Sequence, residues 1–237
     1  RVAEESLRGT LAGLDPKLLR LGLHFLRKRP SSPAECVAAA RKLWQRFFVD
    51  NVQQLLSVYP PDFRGKDGKA FWALPRRRPA PLAFDPAAPE HLAAVGSAAR
   101  LLACVSGFPA DALQGVDVAA VAAQTPVRPF EPKESAAAKM RLLLKKEEAG
   151  TAEGAAEEEE EPPGDSASLV EEVQRALPAE LAQSLLAALR EVPFEKDVDA
   201  NGHVDFVAAF ANLRAANYAL PATDWIAVKL RAGRITP

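Results

Sequence analysis

At 237 residues the chain can bury a sizeable core, as one large domain or two modest ones. With 48% hydrophobic and 26% charged residues and a formal net charge of -1, it has the composition of a soluble globular protein, and no charge excess argues for nucleic acid or a membrane surface as partner. No apolar run approaches the ~20 residues of a membrane-spanning helix. Two distant cysteines, Cys36 and Cys104, and three histidines give neither a disulfide framework nor zinc-ligand spacing, and they fit a reducing compartment. The first residue is Arg1, with no initiator Met and no signal-peptide pattern, so an internal piece of a longer protein is expected.

Asp15-Pro16 reads as a helix start, with Leu18, Leu19, Gly22, Phe25 and Leu26 at helical spacing and Lys28, Arg29 and Pro30 closing it. Ser32-Pro33-Ala34-Glu35 is a capping box, Glu35 reaching back to the cap. Behind it Val37, Ala40, Trp44, Phe48, Val52, Leu55 and Tyr59 form one apolar stripe that Pro60-Pro61 ends, the spine of the core. Residues 60–85 carry too many prolines and glycines for a long helix. They read as an extended strap anchored by Phe71, Trp72, Leu74, Leu82 and Phe84, with Arg76-Arg77-Arg78 as a solvated basic cluster rather than an anion site. Asp85-Pro86 starts the next helix, with Leu92, Val95, Ala99, Leu102 and Val105 on one face and Cys104 packed among apolar neighbours. Asp111 to Gln124 is read as one short helix, broken off by Pro126, Pro129 and Pro132.

From Glu147 to Asp165 the sequence is mostly Ala, Gly, Pro and Glu, a flexible acidic insertion. Ser168 to Glu171 is a second capping box, followed by Leu169, Val173, Ala176 and Leu177, and after Pro178 by Leu181, Leu185 and Leu189, two helices in tandem. With no internal repeat and no β-alternation, the fold class is all-α: an irregular multi-helix domain with a proline-rich extended loop and the acidic insertion.

Cys36 lies in the first turn of a helix, where unpaired N–H groups favour a thiolate, but no histidine stands near it in sequence. No phosphate-binding glycine loop, nucleophile elbow or HExxH motif is present. The most specific signals lie in residues 194–237. Counted from Asp197, a calcium loop would take Asp199, Asn201, Gly202 and Asp205 at its third, fifth, sixth and ninth positions, but its twelfth is Ala208, not the bidentate carboxylate such a loop needs.

The same stretch resembles the ubiquitin-activating enzymes, where the catalytic-cysteine region hands the chain back to the adenylation domain. The matching residues are Phe194, Glu195, Lys196, Asp197, Asp199, His203, Asp205 and Phe206, then Asn212, Leu213, Arg214, Ala215, Asn217 and Tyr218, then Pro221, Lys229, Leu230, Ala232, Gly233, Ile235 and Pro237. Upstream, Cys36-Val37, Gln53 to Leu56, Pro60-Pro61-Asp62, Phe71-Trp72, Pro75-Arg76, Pro79, Pro81-Leu82, Phe84-Asp85, His91-Leu92, Phe130 and Pro132 are similar to that family's second catalytic-cysteine half-domain.

The resemblance implies a longer parent, a ligase that adenylates ubiquitin or a ubiquitin-like modifier with ATP and magnesium. The parent holds the modifier as a cysteine thioester and passes it to a conjugating enzyme, in cytoplasm and nucleus. On this reading residues 1–193 are the half-domain without its upstream catalytic-cysteine segment, 147–165 being the insertion, and 194–237 return towards the adenylation domain. ATP and magnesium belong to the parent. No catalytic, cofactor-binding or metal-binding residue is assigned here, and Cys36 aligns with a non-catalytic position.

Val198, Gly202, Trp225, Ile226 and Val228 depart from the family pattern, the last three offering the final helix a second buried face. Asn212, Arg214, Asn217 and Tyr218, polar on an apolar helix, are expected to bond to the neighbouring half-domain or the adenylation domain. The alternatives are a degenerate calcium-loop module and an unrelated helical interaction domain.

Overall fold

The computed structural model describes residues 13, 16, 19, 20, 23, 27–65, 68–148, 166–176 and 194–232. Of the first helix, Pro16, Leu19, Arg20, Leu23, Arg27 and Lys28 are helical, with Leu19 and Leu23 buried. The spine follows in three joined pieces: α1 (Pro33–Gln45), a π-helical turn (Arg46–Asp50) and α2 (Asn51–Val58). Ser32 caps α1, its hydroxyl accepting the Glu35 N–H at 3.2 Å. The Glu35 carboxylate reaches one residue further back than expected, accepting from the Ser31 N–H (2.7 Å) and hydroxyl (2.9 Å), and these bonds hold its pKa below the usual range. The apolar stripe keeps Val37, Ala40, Trp44, Phe48, Val52 and Tyr59 buried across all three pieces.

Helix α3 is Pro89–Val105, starting later than the Asp85-Pro86 pair suggests. Asp85 closes a turn instead: its carboxylate accepts the Ala87 N–H at 2.8 Å, and its own N–H donates to His91 Nδ1 at 3.0 Å. Held in that way, residue 85 stays outside the helix, and Pro89 takes the opening position that suits a residue without an N–H. Cys104 is exposed, with Ala103 facing inwards, so the thiol is not packed as expected.

The helix expected from Asp111 is shorter. Residues 110–115 form turns, Gly115 takes φ +85°, and α4 (Val118–Gln124) starts from Asp117, whose carboxylate accepts the Ala120 N–H at 2.9 Å. A helix absent from the sequence reading, α5 (Glu134–Glu148), follows. Helix α6 is Ser166–Ala176, so Ser168 lies inside the helix rather than capping it. The remaining acidic-insertion residues and the helix expected around Leu181 to Leu189 lie outside the described residues.

After a 3-10 turn at Asp199–Asn201 come α7 (His203–Asn217) and α8 (Trp225–Ala232). Among the described residues there is no strand, only an isolated bridge between Arg64 and Ala70. The main core lies where α1 and the π-helical turn meet α3, α4 and α7, with Trp44, Phe48, Val95, Ala99 and Leu213 at its centre. A smaller cluster, Val58, Tyr59 and Ala137 with Phe63, Phe71, Trp72 and Met140, joins α2 to α5 and the start of the strap. Leu74 is no anchor: it projects from a turn with 84% of its surface exposed.

Candidate functional site

Residues 194–232 build the site. The chain approaches α7 with Phe194 stacked on His203 (5.8 Å between rings), and the Glu195 N–H donates to His203 Nδ1 at 3.2 Å. The same device serves α3, where Phe84 stacks on His91 at 5.8 Å and the next residue donates to its Nδ1. Asn201 then does two jobs: its Nδ2 donates to the Glu195 carbonyl (2.7 Å), and its Oδ1 accepts the His203 N–H at the helix start (2.7 Å). Gly202 takes φ +75°, and a Cβ there would lie 3.0 Å from the Arg100 guanidinium. A side chain therefore has no room at this position while Arg100 lies over it.

Arg100 pairs with Asp205 through Nη2 and Oδ2, and the other oxygen of Asp205 accepts the Trp225 indole N–H at 2.9 Å. Asp199 accepts from Lys229 Nζ at 2.6 Å, and Asp197 from Lys196 at 2.7 Å, a bond that lowers its pKa. Each acidic member of the would-be calcium loop is thus committed to a different protein donor. Among the described residues, no group of three His, Cys, Asp or Glu could hold a metal ion. The calcium reading gains nothing from the geometry. Of these residues, Asn201 bonds at the start of α7, through the His203 N–H.

At the far end of α7, Asn217 is buried to 1% exposure. Its Nδ2 donates to the carbonyls of Phe48 (3.0 Å) and Ala80 (2.7 Å), and its own carbonyl accepts the Ala80 N–H at 2.7 Å. The Phe48 carbonyl, in the wide π-helical turn, also takes the Leu82 N–H at 3.2 Å. Asn217 therefore ties three segments together: the spine, the strap and α7. Asn212 pins the chain after α7, donating to the Thr223 carbonyl and accepting the Thr223 N–H, both at 2.9 Å. Both asparagines bond within this unit, not to another domain as expected, because backbone groups of the strap and of the α7–α8 connection lie within reach.

The remaining candidates separate clearly. Cys36 is fully buried, and burial pushes its thiol pKa up, with the Glu35 charge adding and the neighbouring Ser106 hydroxyl opposing, so it is no thiolate. Arg76 lies over the Phe71 ring at 4.8 Å, while Arg77 and Arg78 are exposed. Trp225 bonds inwards to Asp205 and Val228 is buried, but Ile226 is 65% exposed, so the second buried face expected for α8 is only partly formed.

Arg41 and Arg100 were not singled out from sequence, and Gln54 only within the family resemblance. Arg41, buried, lies 4.0 Å from the Phe84 ring and 5.0 Å from that of Trp44, and burial lowers its pKa. Gln54, also buried, accepts the Lys133 N–H (2.7 Å) and donates to the Lys133 carbonyl (3.3 Å), holding the residue just before α5. Arg100 is the third. A polar residue on an apolar helix face, the criterion that picks out Asn217, also picks out Arg41 and Gln54; Arg100 carries no such mark.

Residues 5–229 match the family described as the ubiquitin-activating enzyme SCCH domain. Individual relatives agree. Ubiquitin-like modifier-activating enzyme 1 of Homo sapiens is 34% identical over 244 residues, covering 100% of this chain and 21% of that protein. Ubiquitin-like modifier-activating enzyme 6 of Homo sapiens is 30% identical over 242 residues, covering 99% and 22%. Ubiquitin-activating enzyme E1 1 of Candida albicans is 35% identical over 219 residues, covering 90% and 20%. The chain spans about one fifth of the length of these relatives.

Proposed function

The chain belongs to the ubiquitin-activating enzyme family, as its SCCH domain, and from that premise we propose that it is one helical domain of a longer ligase. That enzyme adenylates ubiquitin or a ubiquitin-like modifier with ATP, carries it as a cysteine thioester and hands it to a conjugating enzyme. The observation that carries the reading is the match over residues 5–229, together with the junction residues Asn212, Asn217 and Asp205 all engaged in holding α7 and α8.

In this reading the chain's contribution is mechanical: it presents the thioester-carrying segment and leads the polypeptide, through residues 194–237, back towards the adenylation domain. The protein works in cytoplasm and nucleus. Among the described residues no group of three His, Cys, Asp or Glu could hold a metal ion, and Asp197, Asp199 and Asp205 are each engaged by protein donors, so the described residues do not fit ATP and magnesium. No step through the nucleotide is placed on this chain, and neither Cys36 nor Cys104 takes the thioester.

The test is thioester formation by the full-length protein with ATP, magnesium and labelled ubiquitin, resolved with and without reductant. A reductant-labile ubiquitin adduct that survives in the Cys36→Ala and Cys104→Ser variants is expected. Absence of any adduct with ubiquitin and with ubiquitin-like modifiers overturns the proposed activity. Loss of the adduct in Cys104→Ser alone overturns the assignment of no catalytic residue.

A further inference from the structure

The chain enters α3 and α7 through the same kind of clasp. At α3 the Phe84 ring stacks on His91, and the Asp85 N–H donates to His91 Nδ1 at 3.0 Å. At α7 the Phe194 ring stacks on His203, and the Glu195 N–H donates to His203 Nδ1 at 3.2 Å. Each histidine lies in the first turn of its helix and spends its own N–H on the chain just before it, His91 on the Ala88 carbonyl and His203 on Asn201 Oδ1. An imidazole accepts at Nδ1 only through a lone pair, so each ring is the neutral form with its proton on Nε2. A second proton can go only to Nδ1, where it meets the incoming N–H head-on.

Cations and acids stand beside both clasps. Arg41 of α1 lies over the Phe84 ring at 4.0 Å and the Trp44 ring at 5.0 Å, the same two rings that His91 meets. Arg100 of α3 lies over Gly202, the residue before His203, and Lys229 of α8 is bonded to Asp199. Among the acids, Asp85 accepts the Ala87 N–H, Glu195 the Asp197 N–H, and Asp205 the Arg100 guanidinium and the Trp225 indole. Glu90, next to His91, is exposed to water.

We propose that the two clasps are acid-released latches. A proton taken up at Nδ1 of His91 or His203 breaks the bond from the Asp85 or Glu195 N–H and frees the chain entering α3 or α7. The helices themselves stay docked, because α7 keeps Asn217 on the Phe48 and Ala80 carbonyls and α3 keeps its buried face in the core. Only the neutral ring makes the bond, so each latch is closed above about pH 6.5, where a free histidine is uncharged. It opens as the pH falls below that value, and coupling to one proton raises the opening equilibrium about tenfold per pH unit. Acid thus loosens the lead-in to residues 194–232 without loosening the core.

The experiment is hydrogen exchange on the full-length protein between pH 7.5 and pH 5, read at single amides by mass spectrometry with electron-transfer fragmentation. Each rate is divided by that of the unstructured chain at the same pH, so that only protection is compared. Protection at Asp85 and Glu195 is expected to fall at least tenfold over this range, while Ala98 and Ala99 in the middle of α3 keep theirs. In His203→Asn, whose side-chain oxygen replaces Nδ1 as acceptor but does not titrate, the fall should vanish at Glu195 and persist at Asp85. His91→Asn should do the converse. Level protection at both amides in the wild-type protein, a measurement that needs no variant, overturns the proposal. So does a fall that persists at the substituted clasp, which places the proton elsewhere. A fall of equal size at Ala98 and Ala99 overturns it too, being general acid unfolding.

Discussion

Trp44 and Asn217 lie at the same depth, 0% and 1% exposed, yet they hold the fold by different physics. Around Trp44 the contacts are shape. Its ring meets Phe48 at 5.5 Å, Phe84 at 5.0 Å and His91 at 5.0 Å, all edge-on, and its indole N–H is buried without a partner. Around Asn217 the contacts are counted bonds, two carbonyls satisfied by one amide group and a third bond through its own backbone. Apolar contacts set how strongly segments adhere but tolerate sliding; a side-chain amide aimed at two carbonyls fixes one register. The spine region therefore supplies most of the stability, and the junction decides where α7 and the strap sit relative to it.

The largest test of that contrast is Trp44→Ala, which deletes the most voluminous fully buried side chain among the described residues and leaves a cavity walled by Phe48, Phe84 and His91. A loss of about 3–5 kcal/mol in chemical denaturation is expected. Against it, Trp44→Phe, which keeps an aromatic ring and removes the unpartnered N–H, costs a smaller fraction. If both variants lose equally, edge-on packing is not what holds the site.

Asn217→Leu comes next and is diagnostic in kind. It keeps the volume but leaves the Ala80 carbonyl without its side-chain donor, and the Phe48 carbonyl with only the Leu82 N–H. About 2–4 kcal/mol is expected, since each buried group left unsatisfied costs roughly 1–3 kcal/mol. The same variant should expose the strap near Ala80 and Leu82 to faster hydrogen exchange, while amides in the middle of α3 keep their protection. Uniform acceleration across both regions removes the distinction between adhesion and register.

The division also explains what could be read from the chain beforehand. The stripe from Val37 to Tyr59 was legible because burial on one helix face repeats at fixed spacing, and the family's junction residues were legible as polar groups on an apolar face. The π-helical turn inside the stripe was not, because its cause is distant: the Phe48 carbonyl turns to donors at residues 82 and 217. Helix α5 was missed for a like reason. Its sequence after Pro132 favours a helix, but Lys133, the residue just before it, is held by Gln54, 79 residues away. The paired Phe–His clasps span six residues at Asp85–His91 and eight at Glu195–His203, so no single spacing reveals them. What sequence hides here is the long-range partner of a local polar group.

The smallest effect lies at the α1 cap, where register is set by one exposed carboxylate. Glu35 is pulled below its ordinary pKa by the Ser31 N–H first and the Ser31 hydroxyl second. A carboxylate with a lower pKa folded than unfolded stabilises the fold above the unfolded value, about 4.3, and that contribution fades as the pH falls through the folded value. The stability difference between wild type and Glu35→Gln isolates this group, because the other acids titrate alike in both. That difference should favour wild type near pH 6, shrink below about pH 4 and vanish once Glu35 is protonated. A difference that stays constant down to acid pH would mean that the two variants differ for a reason other than the ionisation of Glu35. Charge would then play no part in fixing where α1 begins.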